Sequence, residues 1–125
     1  MRKSIKNSLE LEAVLDYYGP NGEHWEHGGW GQEQEDTRCV LNAISHVAGL
    51  EVKGLQAEKV VGKKKPWIIG ALNRAIDKLF PGRVNPHVPK YKRVFLFNDD
   101  EQTTWEDMQM VLKEASFNLR YGDDL

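Results

Sequence analysis

Cys39 is the single cysteine of the chain, and it stands at the start of a well-marked helical stretch. A thiol at a helix N-terminus feels the positive end of the helix dipole, which can lower its pKa and make it a nucleophile. Gln32 and Gln34 lie shortly upstream, where an amide could serve as an oxyanion donor. Such an enzyme also needs a histidine base. His46 is two turns along the same helix, about 10 Å away and out of hydrogen-bond reach. That leaves His24, His27 or His87, with Asn98 or Asp99 as orienting group, and the spacing does not choose among them. The ordinary alternative is a buried structural cysteine beside Val40 and Ala43. The residue types favour that alternative, so a cysteine-dependent hydrolase or transferase using Cys39 is the second reading of the chain.

Four other groups could bind. His24 and His27 are three apart, and Cys39 or His46 could complete a metal set. Strong zinc patterns need paired Cys/His sets, and Gly22, Gly28 and Gly29 argue against a helix there, so no metal and no cofactor are expected. Tyr17, Tyr18, Trp25 and Trp30 cluster around Gly-Gly turns, as a plug at the core edge or as a stacking platform for a planar ligand. Lys63-Lys64-Lys65-Pro66 places three cations before a helix start, where a bound anion would offset their conflict with the dipole. Lys53, Lys59, Arg74, Lys78, Arg83, Lys90, Lys92 and Arg93 are near in sequence. Phe97-Asn98-Asp99 precedes Thr103 and is expected to shape the turn into the last helix through side-chain to backbone bonds. No phosphate loop and no dinucleotide fingerprint occur.

The elements that must position these groups read as helices. A stripe of Leu11, Val14, Leu15 and Tyr18 predicts a helix over 4–18, stopped by Gly19-Pro20-Asn21-Gly22. A long Gly/Trp-rich loop follows over 20–36. Asp36 or Thr37 caps the next helix, with stripe Val40, Ala43, Ile44 and Val47 and a stop at Gly49. A short helix around 55–61 would end at Gly62. Pro66 opens another, with stripe Ile69, Leu72, Ile76 and Leu79, ended by Pro81-Gly82. Residues 91–97 form a short strand or a buried extended stretch. Thr103 with Glu106 is a capping box for the last helix, whose apolar face is Trp105, Met108, Val111, Leu112 and Ala115. The tail from about 119 is expected to fray.

The 125 residues are 40% hydrophobic and 29% charged, which favours one domain, 1–125, with a modest core. No run is long and apolar enough for a membrane span or a signal peptide, and a lone cysteine fits a reducing compartment, so the expected location is cytoplasmic. The net charge of −2 hides an uneven distribution: −5 over 1–52, +9 over 53–93 and −6 over 94–125. Either the acidic ends fold onto the basic middle, or the middle presents a positive face.

Gly29-Trp30-x-Gln32, Cys39-Val40-Leu41-Asn42-Ala43 and Phe97-Asn98-Asp99 with Thr103-Thr104 resemble an uncharacterised family of small actinobacterial and phage proteins. Its pattern runs Gly-Trp-x-Gln, Cys-x-x-Gly-Ala and Trp/Phe-Asn-Asp before a final helix. The chain departs from it at Asn42, where the pattern has glycine, and in its lysine-rich middle. The resemblance implies a compact cytoplasmic domain, phage- or bacterium-encoded, with Trp30, Cys39, Asn98 and Asp99 in one neighbourhood. It implies no substrate.

The expectation is therefore a mainly α, compact bundle of about four short helices that works by binding rather than by catalysis. An anionic partner, nucleic acid or nucleotide, is held by Lys63, Lys64, Lys65 and Arg93, with Trp25 and Trp30 for stacking. A third reading is a protein–protein inhibitor of a host or phage factor that uses the acidic ends.

Overall fold

The computed structural model describes residues 2–27, 38–50 and 55–122. Six helices follow one another: α1 (Lys3–Tyr18), α2 (Val40–Val47), α3 (Leu55–Lys64), α4 (Pro66–Leu79), α5 (Lys90–Asp99) and α6 (Trp105–Tyr121). Among the described residues there is no strand, and extended pairing is confined to an isolated parallel bridge between Trp25 and Arg38.

Each helix is short, so its stability comes from the face it buries. α1 buries Leu11, Val14 and Tyr18; α4 buries Ile68, Ile69, Ala71, Leu72, Ala75 and Ile76; α6 buries Met108, Val111, Leu112, Ala115 and Leu119. These side chains share one core with Val40, Leu41, Ala43 and Ile44 of α2 and with Val94 and Phe97 of α5. α1 and α6 make the most extensive helix–helix contact. Two small serines permit their close approach: Ser8 Oγ donates to the Ser116 carbonyl at 2.9 Å, and Ser116 Oγ donates to the Ser8 carbonyl at 3.1 Å.

Four sequence expectations are corrected. Residues 91–97 are not extended but belong to α5. Its buried positions are Arg93, Val94, Phe97 and Asn98, a helical spacing. Two of the four are polar, which hides the period from an apolar count. α3 does not stop at Gly62 but runs to Lys64. Gly62 sits where α3 crosses α5, and a Cβ there would come within 3.0 Å of the Tyr91 Cβ, so this glycine serves packing rather than termination. The N-cap position of α2 is Cys39, which gives no side-chain cap, and Asp36 and Thr37, the caps expected from the sequence, lie outside the described residues. Finally, the capping box is Thr104 with Asp107, one residue later than Thr103 with Glu106. Thr104 Oγ1 accepts from the Asp107 amide at 3.2 Å, and Asp107 Oδ2 accepts from the Thr104 amide at 3.2 Å. Both pairs fit the pattern. Burial decides, because Thr103 points inward and accepts a bond from Arg83 Nη1 at 3.2 Å.

α6 continues through Tyr121 with Leu119 buried, beyond the point near 119 where the tail was expected. No described helix is long and apolar enough to cross a membrane.

Candidate anion-binding site

The Cys39 and Phe97-Asn98-Asp99 motifs meet at one corner, whose centre is Asn98, while Gly29-Trp30-x-Gln32 lies outside the described residues. This side chain is fully buried at the C-terminal end of α5. Its Oδ1 accepts from the Trp25 indole Nε1 at 2.8 Å and from the Val40 amide at 3.1 Å. Its Nδ2 donates to the Glu26 carbonyl at 3.0 Å and to Asp99 Oδ1 at 3.0 Å. Both oxygen lone pairs and both N–H groups are thus used. Cys39 supplies no side-chain cap to α2, so Asn98 caps that helix from another element. The segment 24–27 is tied down further. Arg38 N donates to the His24 carbonyl, Glu26 N donates to the Arg38 carbonyl, and the buried Tyr18 hydroxyl donates to the Arg38 carbonyl at 3.0 Å. Burial raises the Tyr18 pKa well above the usual phenol value, with the Cys39 thiolate adding to the effect. His27 stacks on Trp25, and its Nε2 donates to the Asp100 carbonyl at 2.6 Å.

Asn98 therefore does not shape the turn into α6, where the sequence placed it. Asp100 does so: its Oδ1 accepts from Gln102 N at 2.8 Å and its carbonyl from Thr103 N at 2.9 Å.

Cys39 joins this corner without being activated by it. Burial raises its pKa, the Asp99 carboxylate raises it further, and hydrogen bonds from Asn42 and Leu41 oppose the rise only in part. Asn42 Nδ2 donates to Sγ at 3.0 Å. The dipole argument for a lowered pKa fails because desolvation of the thiolate outweighs it. Glu58, buried on α3, also has a raised pKa. Burial is the main cause and Asp99 adds to it, against Lys92 and Lys59. Among the described residues no group of three or more His, Cys, Asp or Glu is placed to hold a metal ion.

The cations that the sequence grouped together are divided by the fold. Arg93 is 7% exposed and committed within the protein. Its Nη1 and Nη2 clasp Asp77 at 3.1 and 2.6 Å, Nη1 also donates to Asn73 Oδ1 at 2.7 Å, and Nε donates to the Asn85 carbonyl at 3.2 Å. Lys65 is paired with Glu10 at 2.7 Å. Lys63 and Lys64 lie in the last turn of α3, where cations suit the dipole, so they need no anion to excuse them. Trp25 is spent on Asn98 and on packing against Trp105. Trp30 lies outside the described residues, as do Gln32, Gln34 and Lys53.

The acidic ends do fold onto the basic middle in part: Lys65–Glu10, Lys78–Glu114 and Arg83–Asp107 are ion pairs of that kind. Among the described residues, several of the unpaired cations line one groove. A groove of about 330 Å³ lies between the N-terminal turns of α1 and the α3–α4 junction, lined by Lys3, Lys6, Asn7, Lys64, Lys65, Pro66 and Trp67. Among these described residues four are lysines and none is acidic. Lys3, Lys6 and Lys64 are exposed and, among the described residues, form no ion pair. Lys3 and Lys6 come from the first block of sequence, which is acidic on balance. No sequence count could have joined them to Lys64; only their exposed positions three apart on α1 hinted at a shared face.

In class this is a small, mainly helical protein with a buried polar corner and a separate lysine-lined groove. The chain belongs to DUF6197, a family of unknown function, whose pattern matches residues 12–118. No curated protein and no solved structure matches it.

Proposed function

We propose that the protein works by binding an anionic partner, nucleic acid or a nucleotide, in the groove of Lys3, Lys6 and Lys64. The observation that supports this reading is the convergence of three unpaired lysines, with Lys65 beside them, around one concave surface that no carboxylate lines among the described residues. Uncompensated cations at one concave place cost self-repulsion, and a phosphate chain removes that cost while releasing its own counterions. The Cys39 enzyme reading loses support from the partly buried, Asn42-bonded thiol, whose pKa is raised. The buried Asn98 corner supports the α2 end and the 24–27 segment rather than a ligand.

The test is binding of a fluorescent oligonucleotide to the full chain over a range of salt. Replacing Lys3, Lys6 and Lys64 together by alanine should weaken binding and reduce the slope of log affinity against log salt by up to about 2, at roughly 0.7 per phosphate contact on a single strand. Unchanged affinity in that variant, or no salt dependence in the parent, overturns the reading.

A further inference from the structure

Three tryptophans are described. Trp25 donates its Nε1 to Asn98 Oδ1 at 2.8 Å, and Trp105 donates its Nε1 to the Pro20 carbonyl at 3.1 Å; both pack against other rings. Trp67 is different. It is 46% exposed, and among the described residues neither its indole N–H nor its ring has a partner. It stands in the first turn of α4, next to the buried Ile68 and Ile69, so its backbone is held rigidly while its ring stays outside the core. Trp67 also lines the groove that holds Lys3, Lys6 and Lys64.

A rigidly mounted, uncommitted indole beside unpaired cations is the pairing that single-stranded nucleic acid uses. Bases stack on the aromatic face while lysines follow the phosphates. A duplex keeps its bases stacked inside and offers such a ring nothing but its backbone. We infer that Trp67 is a base-stacking residue, and that the groove takes single-stranded nucleic acid in preference to duplex. This rests on the anion-groove reading and adds the ligand's second chemical requirement, an unpaired base. It also moves the stacking role expected of Trp25 to Trp67.

The experiment uses the full chain and four probes: a single strand of about twelve nucleotides, the matching duplex, an abasic strand of the same length, and a nucleoside triphosphate. The single strand should bind about tenfold more tightly than the duplex or the abasic strand, the size of a stacking gain near 1.4 kcal/mol. Trp67→Leu should lose that factor and leave the salt slope as it was. Trp67→Phe, which keeps a stacking face, should retain most of it. Equal affinity for single strand and abasic strand, or for single strand and duplex, overturns the stacking role while leaving the groove reading intact. Unchanged single-strand affinity in Trp67→Leu does the same. A nucleoside triphosphate that binds as tightly as the strand overturns the strand assignment. Loss of the groove reading itself shows elsewhere, as an unaltered affinity in the triple lysine variant.

Discussion

Asn98 Oδ1 and the Trp25 indole nitrogen are 2.8 Å apart across 73 residues of sequence. The same oxygen holds the first amide of α2, so one amide side chain fixes three pieces of chain at once.

Asn98→Ala should therefore destabilise the protein by about 2–6 kcal/mol, because it strands the Val40 amide and the part-buried Trp25 indole N–H, each costing roughly 1–3 kcal/mol. Urea unfolding followed by tryptophan fluorescence measures it. A loss below about 0.5 kcal/mol would mean that water or another group replaces the oxygen.

Arg93→Lys should cost about 1–3 kcal/mol of stability, since an ammonium cannot hold Asp77 with a two-pronged grip while also meeting Asn73 and Asn85. Its affinity for oligonucleotides should stay within about twofold of the parent. A large loss of binding in a folded Arg93→Lys variant would return this residue to the ligand set.

Cys39 should react slowly with alkylating agents in the native protein and quickly in denaturant, because burial disfavours the thiolate. Its native labelling rate should keep rising with pH beyond the range where an exposed thiol levels off. Fast labelling at neutral pH would revive the nucleophile.

Glu58 should make stability depend on pH. Its folded pKa lies above its ordinary value of 4.5, so the folded chain holds this proton more tightly than the unfolded chain. Its contribution is present below about that pH and is lost as pH rises through the folded value. Glu58→Gln should remove that decline and be the more stable form at neutral pH. Unfolding midpoints measured from acid to neutral pH decide the matter, and parallel curves for parent and variant would refute it.

Several features were legible in the chain because they are local. The stripes of α1, α2, α4 and α6 repeat at helical spacing, and turn residues or caps mark their ends within a residue or two. The family resemblance lay in short motifs that survive in one dimension, and the family match over 12–118 upholds it. The α5 helix was not legible because two of its four buried positions are polar, and their partners, Asp77 and Asn73 for Arg93 and Trp25 and Val40 for Asn98, lie on other elements.

Charge was the hardest to read. The sequence by itself determined that these stretches become helices, that one modest core is available, and that cations concentrate in the middle of the chain. Only the tertiary structure decided which cations remain unpaired. Glu10 and Asp77 take Lys65 and Arg93, while Lys3 and Lys6 are carried from the far end of the chain to meet Lys64 and Trp67. Helix formation depends on neighbours within a turn or two, whereas ion pairing and groove formation depend on distances that only packing sets.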